Sequence, residues 1–266
     1  MANSHFIDVS DVTVFLGRKK IIDGAAFTAE AGKFTVVVGP NGSGKTTLLR
    51  AMAGDLPFTG RISLNGTPID RMKPWQMAAA RAILPQATSL SFPFTVREIV
   101  KLGVIAGRTG AGPARDLPDL ALDLVDLAGF GGRFYQELSG GEQQRVQLAR
   151  VLCQVWQPVL DGQPRFLFLD EPVSSLDIKH QLIIMRIARD FAERGGGVVA
   201  ILHDLNLTAM YGDKVVIMNR GHTDCVGTPS EVLTDERILR VYDCALKVGA
   251  FPAPGTPFVL PHSVLS

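Results

Sequence analysis

The sequence has little cysteine, no excess of charge of either sign and no long apolar run, and each scarcity excludes a class of protein. Its three cysteines, Cys153, Cys225 and Cys244, are scattered and lack C-x-x-C spacing, so we expect no metal-binding motif and a reducing compartment. The formal net charge of +1 excludes the broad basic surface typical of nucleic-acid-binding proteins. No apolar run approaches the ~18 residues of a membrane span. Because residues 1–5 are polar, we also expect no signal peptide.

The composition is that of an ordered globular protein. The chain has 266 residues, 46% of them hydrophobic and 20% charged, and can bury a substantial core as one large α/β domain or two small lobes. Strand patterns vanish after about residue 86, and helical patterns there surround a glycine- and proline-rich loop at 107–113. We predict an α/β core over residues 1–86 and 158–247, a helical insertion over 87–157 and an extended tail over 248–266.

A glycine-rich stretch connects a predicted buried strand to a predicted helix. It comprises Gly39, Pro40, Asn41, Gly42, Ser43, Gly44, Lys45, Thr46 and Thr47. In this context the pattern G-x-x-x-x-G-K-[ST] predicts a phosphate site, because the glycines let successive backbone N–H groups point inward at a helix N-terminus. Lys45 can reach the β- and γ-phosphates, and the Thr46 hydroxyl can bind Mg²⁺. The alternative is a turn that merely joins strand to helix, but every motif position is filled. The stretch therefore predicts binding of a nucleoside triphosphate.

A second apolar run, residues 166–169, ends in two carboxylates, Asp170 and Glu171. Open α/β sheets place their ligands at the carboxyl ends of the strands. Asp170 can there hold Mg²⁺, directly or through water, and Glu171 can deprotonate an attacking water. The alternative is helix N-capping, which residues 172–177 would also supply. Beside a phosphate loop, the catalytic interpretation is favoured.

Three weaker candidates accompany these motifs. The segment Ser139-Gly140-Gly141 opens a predicted helix and is a second anion-binding construction; Ser139 and Glu142 also form a capping box. Both interpretations can hold, since a capped helix N-terminus binds phosphate. Gln86 follows a strand and could reach Mg²⁺ or the attacking water, and His203 at another strand end could hydrogen-bond the γ-phosphate. Either residue alone is more often a surface or structural group.

Taken in chain order, these motifs resemble the ATPase subunit of ATP-binding-cassette transporters. The resemblance covers roughly residues 6–240 and rests on the phosphate loop, Gln86, the signature Leu138-Ser139-Gly140-Gly141-Glu142, the paired carboxylates, the D-loop Ser175-Leu176-Asp177 and His203. It implies a P-loop NTPase fold of the α/β class, with a RecA-like mixed sheet, an antiparallel β subdomain and an inserted α-helical subdomain. It also implies ATP and Mg²⁺ as cofactors, Glu171, His203 and Lys45 as catalytic residues, and Thr46, Gln86 and Asp170 as magnesium ligands. Adenine would stack near Phe15 and Leu16, where many family members carry a tyrosine.

The same resemblance implies partners. Two copies would form a head-to-tail homodimer, each ATP lying between the phosphate loop of one subunit and the signature of the other. A cassette without a fused membrane segment resembles importer ATPases, which lie peripherally on the cytoplasmic side of the bacterial inner membrane. Their two transmembrane permease subunits are separate chains, and a periplasmic binding protein acts indirectly.

Residues 93–98 and 203–206 resemble the branch that imports iron chelates, heme and cobalamin, and the long link 154–165 resembles its heme importers. Heme is the expected cargo, with cobalamin or a ferric siderophore as the alternative. An alternative of a different class is a soluble cassette ATPase of the iron–sulfur assembly type.

Overall fold

A computed structural model describes residues 6–86, 92–107 and 116–260. In chain order the strands are β1 (Phe6–Leu16), β2 (Lys19–Glu30), β3 (Phe34–Val38), β4 (Thr59–Leu64), β5 (Thr67–Pro68), β6 (Arg81–Leu84), β7 (Val159–Leu160), β8 (Gln163–Pro164), β9 (Phe166–Asp170), β10 (Gly197–Ile201), β11 (Lys214–Asn219) and β12 (His222–Gly227). The helices are α1 (Lys45–Met52), α2 (Pro74–Ala80), α3 (Val96–Ala106), α4 (Leu117–Leu124), α5 (Gly140–Gln154), α6 (Ile178–Glu193), α7 (Leu205–Tyr211), α8 (Pro229–Val232) and α9 (Asp235–Tyr242). Among the described residues, no helix is both long enough and apolar enough to span a bilayer.

A six-stranded sheet in the order β12-β11-β3-β10-β9-β6 forms the centre of the molecule. All its strands run parallel except β12, which pairs antiparallel with β11 at one edge. Strands β3, β9 and β10 are buried at every position, as expected where both faces of a parallel sheet are covered. Ile201 pairs with Val37 on one side and with Asp170 on the other. The carboxyl ends of these strands, and the residues that follow them, therefore meet at one edge.

A four-stranded antiparallel sheet in the order β2-β1-β4-β5 contains the N-terminal strands. Burial alternates along β1, so Ile7 and Val9 pack in a core shared with Leu48 and Met52 of α1. Asn65-Gly66, a dipeptide typical of hairpin turns, joins β4 to β5, and both residues have positive φ. This sheet thus covers one side of the helix that follows the phosphate loop.

Helices α3, α4 and α5 form the helical insertion. Helix α3 approaches α5 so closely that a Cβ on Gly103 would lie 1.9 Å from the carbonyl oxygen of Arg150. Arg145 of α5 donates from Nη1 to the carbonyl oxygens of Val125 (2.9 Å) and Asp126 (2.7 Å), just beyond the end of α4. Close packing and this buried guanidinium therefore hold α5, which begins at the signature, against both other helices.

The structure differs from the sequence-based expectations at several element ends. The sequence from Trp75 to Ala82 predicts a helix, but the helix ends at Ala80, because residues from Arg81 onward pair with β9. The sequence from Pro158 to Pro164 predicts a turn, whereas the structure has a short hairpin there, β7 and β8. The predicted loop at 107–113 lies, except for Gly107, outside the described residues. Residues 244–260 form no regular element and are almost entirely exposed.

Candidate functional site

The phosphate loop connects β3 to α1 in a conformation that needs glycine. Gly39, Gly42 and Gly44 have φ angles of +149°, +77° and +100°, a region that disfavours residues with a Cβ. A Cβ at Gly39 would lie 2.1 Å from the backbone oxygen of Met218, and one at Gly44 would lie 2.5 Å from Ile22 Cδ1. Space and backbone conformation therefore both require glycine at these two positions.

Ser43 and Lys45 fit the loop to an anionic ligand. Ser43 is 3% exposed, and within the described part of the chain its Oγ has no hydrogen-bond partner. Lys45 Nζ is buried and donates to the carbonyl oxygens of Gly39 (2.9 Å) and Pro40 (3.1 Å). Burial lowers the pKa of Lys45, and two nearby carboxylates oppose that shift. A buried ammonium and an unpaired buried hydroxyl both gain hydrogen bonds from a phosphate.

Thr46 and Asp170 form an oxygen-rich pair beside this loop. Thr46 Oγ1 donates to Asp170 Oδ1 at 3.1 Å, and Asp170 is 4% exposed. Burial raises the pKa of Asp170, and the Thr46 hydrogen bond partly opposes that rise. Both residues line a cavity of about 260 Å³ together with Gln86. The three residues predicted as magnesium ligands therefore surround one cavity with the oxygen atoms that Mg²⁺ prefers.

Glu171 lies at the centre of a side-chain network. Its Oε1 is 2.7 Å from His203 Nε2, and its Oε2 accepts from Gln86 Nε2 at 2.9 Å. The Glu171 side chain is only 15% exposed. The structure thus brings together three residues that the sequence placed at the ends of three different strands, and it orients one carboxylate with two partners.

The backbone of Glu171 is held in a left-handed conformation, with φ at +51°. Such a conformation costs energy for a residue with a side chain and persists only where its surroundings hold it. Here Gln144 Nε2 (3.1 Å) and Ser174 Oγ (3.2 Å) donate to its carbonyl oxygen. Gln144 was missed by the sequence-based reasoning, because one glutamine on a helix carries no motif.

The signature segment begins α5 with a complete capping box. Ser139 Oγ accepts from the backbone N–H of Glu142, and Glu142 Oε2 accepts from the backbone N–H of Ser139 at 2.8 Å. Ser139 and Gly140 are exposed. A Cβ on Gly141 would lie 3.1 Å from Leu176 Cδ2, so the D-loop adjoins the signature. Among the described residues, no hydrogen bond joins the signature to the phosphate loop of the same chain.

Phe15 and Leu16 end β1 at a hairpin beside the phosphate loop. Phe15 pairs with Lys20 in β2, and Ile21 touches the position of a Cβ on Gly44. Phe15 is 48% and Leu16 43% exposed. Two exposed apolar side chains next to a phosphate site suit a stacking planar base, which keeps the adenine prediction open for either residue.

Tyr242, at the end of α9, was not predicted as part of the site. Burial raises the pKa of its phenol to about 12, and a backbone hydrogen bond from Gly39 works in the opposite direction. The backbone N–H of Gly221 donates to the carbonyl oxygen of Ser43 at 3.1 Å. Residues near the C-terminal end of the described chain therefore contact and support the phosphate loop. No sequence pattern predicts such a contact.

The chain has a glycine-rich phosphate loop and a pair of carboxylates at the end of a strand, one of which is oriented by two hydrogen-bond partners. These features together define it as a P-loop ATPase of the α/β class. The family model described as ABC transporter matches residues 22–174. Proteins called "Hemin import ATP-binding protein HmuV" are similar over nearly the whole chain. The one from Mesorhizobium japonicum is 64% identical, covering 97% of this chain and 98% of the relative. The one from Chelativorans sp. is 60% identical, covering 97% and 99%.

Among solved structures, the dimeric structure of MJ0796, a bacterial ABC transporter cassette, matches with a TM-score of 0.72 and 25% identity. It covers 84% of this chain and 98% of that one. The chain belongs to the ABC transporter family and is an ATP-hydrolysing member of it. This confirms the predicted fold class.

Proposed function

We propose that the chain is the ATP-hydrolysing subunit of an importer that carries heme across the cytoplasmic membrane. The supporting observation is the identity of 64% and 60% to two proteins named for hemin import, over nearly the full length of each. Among the described residues, the polar groups characterised above form an ATPase site, and we assign no cargo site to them. Selection of cargo therefore lies in separate chains, namely two transmembrane permease subunits and, indirectly, a periplasmic binding protein. The subunit itself lies peripherally on the cytoplasmic side.

Glu171 is the general base of the proposed reaction. A carboxylate 2.7 Å from His203 and 2.9 Å from Gln86 has both oxygens oriented, so it can hold and deprotonate a water in line with the γ-phosphate. Glu171 takes the proton, His203 orients it, and Lys45 stabilises the charge on the phosphate oxygens. In this arrangement the three residues act as one unit.

Thr46, Asp170 and Gln86 are the residues that would hold Mg²⁺. When bound, the ion neutralises charge on the β- and γ-phosphate oxygens. Burial raises the pKa of the Asp170 carboxyl, so its charged form is costly to bury. A divalent ion beside it would offset the cost of burying its charge.

The active form proposed here is a head-to-tail homodimer. Ser139 and Gly140 present a capped helix N-terminus to solvent, and such a terminus can bind an anion. A second copy would place that terminus against the γ-phosphate held by the loop at residues 39–46. The dimeric form of the similar MJ0796 cassette supports this arrangement.

Reconstitution with a permease tests the proposal. The purified chain is combined with the candidate permease and binding protein in vesicles, and ATP hydrolysis is measured with hemin, cobalamin or a ferric siderophore. We expect hemin to accelerate hydrolysis, and Glu171→Gln to abolish the acceleration. Stimulation by cobalamin or the siderophore alone would reassign the cargo. Failure to bind membranes that contain the permease would favour the soluble alternative.

A further inference from the structure

Four charged side chains connect the D-loop to the turn after α4. His180 Nδ1 is 2.8 Å from Asp177 Oδ1, and His180 Nε2 is 3.3 Å from Asp126 Oδ2. Lys179 Nζ is 2.5 Å from the same Asp126 oxygen. The His180 side chain is 18% exposed, whereas Asp126 and Asp177 are 46% and 66% exposed. One partly buried imidazole therefore bridges two carboxylates from different parts of the chain.

The protonation state of the imidazole decides how many of these contacts are hydrogen bonds. A neutral imidazole has one N–H donor and one acceptor nitrogen, whereas the imidazolium has two donors. Both ring nitrogens of His180 face carboxylate oxygens, which only accept. The bridge is therefore complete in the imidazolium form and loses one of its two bonds in the neutral form.

Both carboxylates are well placed to stay ionised. The hydrogen bond from Lys179 holds the pKa of Asp126 below its usual range, and the backbone N–H of His180 does the same for Asp177. The other charge facing the cluster is Arg145 of α5, whose guanidinium binds the carbonyl oxygens of Val125 and Asp126. The bridge thus continues into the signature helix.

The bridge joins two segments that already touch. Gly141 of the signature lies against Leu176 and the carbonyl of Ser175 in the D-loop. Arg145 anchors the Asp126 turn to α5, and His180 anchors Asp126 to Asp177, the N-cap of α6. Movement of the helical insertion relative to the core must therefore either carry the D-loop with it or break the imidazole contact.

We propose that His180 and Asp126 are positioning residues. They hold Asp177 of the D-loop in a fixed position relative to the signature segment, so that both segments are presented together to the partner subunit. The inference rests on the proposed function, because the D-loop and the signature act on nucleotide only across a dimer. His180 touches no reacting atom in this scheme. It acts through Asp177.

His180→Ala tests the bridge without removing the helix cap, since Asp177 Oδ1 still accepts the backbone N–H of residue 180. We expect the ATPase kcat of the full-length chain to fall about 2- to 5-fold at pH 6.5, as for a partly exposed ion pair, with KM for ATP unchanged. The ratio of wild-type to variant rates is expected to shrink as pH rises to 8.5.

Lys179→Ala is the matched control. It removes a cation that contacts Asp126 but not Asp177 and leaves the imidazole bridge, so its rate at pH 6.5 is expected to fall less than that of His180→Ala and its pH profile is expected to match the wild type. Asp126→Asn keeps a residue that tolerates the left-handed backbone at φ +59° and should lower kcat as His180→Ala does. The double variant should be no slower than either single variant, because both break the same contact.

Two results would overturn the inference: a wild-type rate for His180→Ala at pH 6.5, or additive losses in the double variant. A variant that melts below the assay temperature is replaced by His180→Gln, whose amide carries no charge, so that its deficit relative to the wild type should also shrink as pH rises. The proposed function is checked in the same preparation, by asking whether Glu171→Gln forms ATP-dependent dimers. Dimers combined with a silent His180→Ala would contradict this inference alone.

Discussion

Glu171→Gln separates proton acceptance by this carboxylate from its part in holding the site together. The amide keeps the length of the side chain, so its oxygen can still accept from Gln86 and its nitrogen can donate to neutral His203. The amide cannot take a proton from water. General-base catalysis contributes about 10²–10⁴ in rate, or about 3–5 kcal/mol of activation free energy. We therefore expect kcat to fall at least ~10²-fold while ATP still binds.

Three measurements on one preparation decide the matter. Phosphate release at saturating ATP gives kcat, equilibrium dialysis gives ATP affinity, and size-exclusion chromatography with and without ATP gives the dimer fraction. The expected result is slow hydrolysis, retained affinity and accumulated dimer. Hydrolysis at the wild-type rate would refute the assignment of Glu171. Slow hydrolysis accompanied by lost ATP binding would mean that the carboxylate holds the site rather than taking a proton.

Three further predictions concern packing and charge. Ser139→Arg should abolish ATP-dependent dimers while sparing ATP binding. Ser139→Ala loses only a cap contact of about 1 kcal/mol and should still dimerise. Dimers of the arginine variant would contradict a nucleotide site shared between two subunits. Gly103→Ala must push α3 away from the Arg150 carbonyl and should lower the free energy of unfolding by about 1–3 kcal/mol, measured by urea denaturation against Gly132→Ala, where a Cβ meets nothing within 4 Å. Because burial raises the pKa of Asp170, its charge destabilises the nucleotide-free fold at neutral pH, and that cost disappears as pH falls through the raised pKa. Asp170→Asn should therefore raise Tm at pH 7.5 but not at pH 4, as calorimetry would show, and an unchanged Tm at both pH values would contradict the reasoning.

Much of the site follows from strand ends. An apolar run followed by a polar group at its carboxyl end predicts where that group lies, because parallel strands end at a common edge. Glu171, Gln86 and His203 each follow such a run, and in the structure Gln86 and His203 both contact the Glu171 carboxylate. The motif gives the type of residue and the parallel topology gives its place, so the local sequence pattern is sufficient to predict where these residues lie.

The remaining features depend on contacts between distant segments. Gln144 holds the left-handed backbone of Glu171, and Tyr242 and Gly221 contact the phosphate loop. No periodic sequence pattern predicts either set of contacts. Strand β12 and helices α7 to α9 are short and lack long amphipathic patterns, so the sequence gives weak signals for them. The β7–β8 hairpin turns at Asp161 and Gly162, a recognisable Asp-Gly turn that its short strands obscured.

The position of β3 at the middle of the sheet has a consequence for the order in which the protein is made. The strand that leads into the phosphate loop is flanked by β10 and β11, both of which leave the ribosome long after it. Backbone bonds from Gly221 to Ser43 and from Asp23 to Gly221 join the first strands to one of the last turns. In a nascent chain, both edges of β3 can therefore be paired only after residues 214–219 have emerged. We therefore expect the growing chain to bind nucleotide only once these later strands have paired with β3.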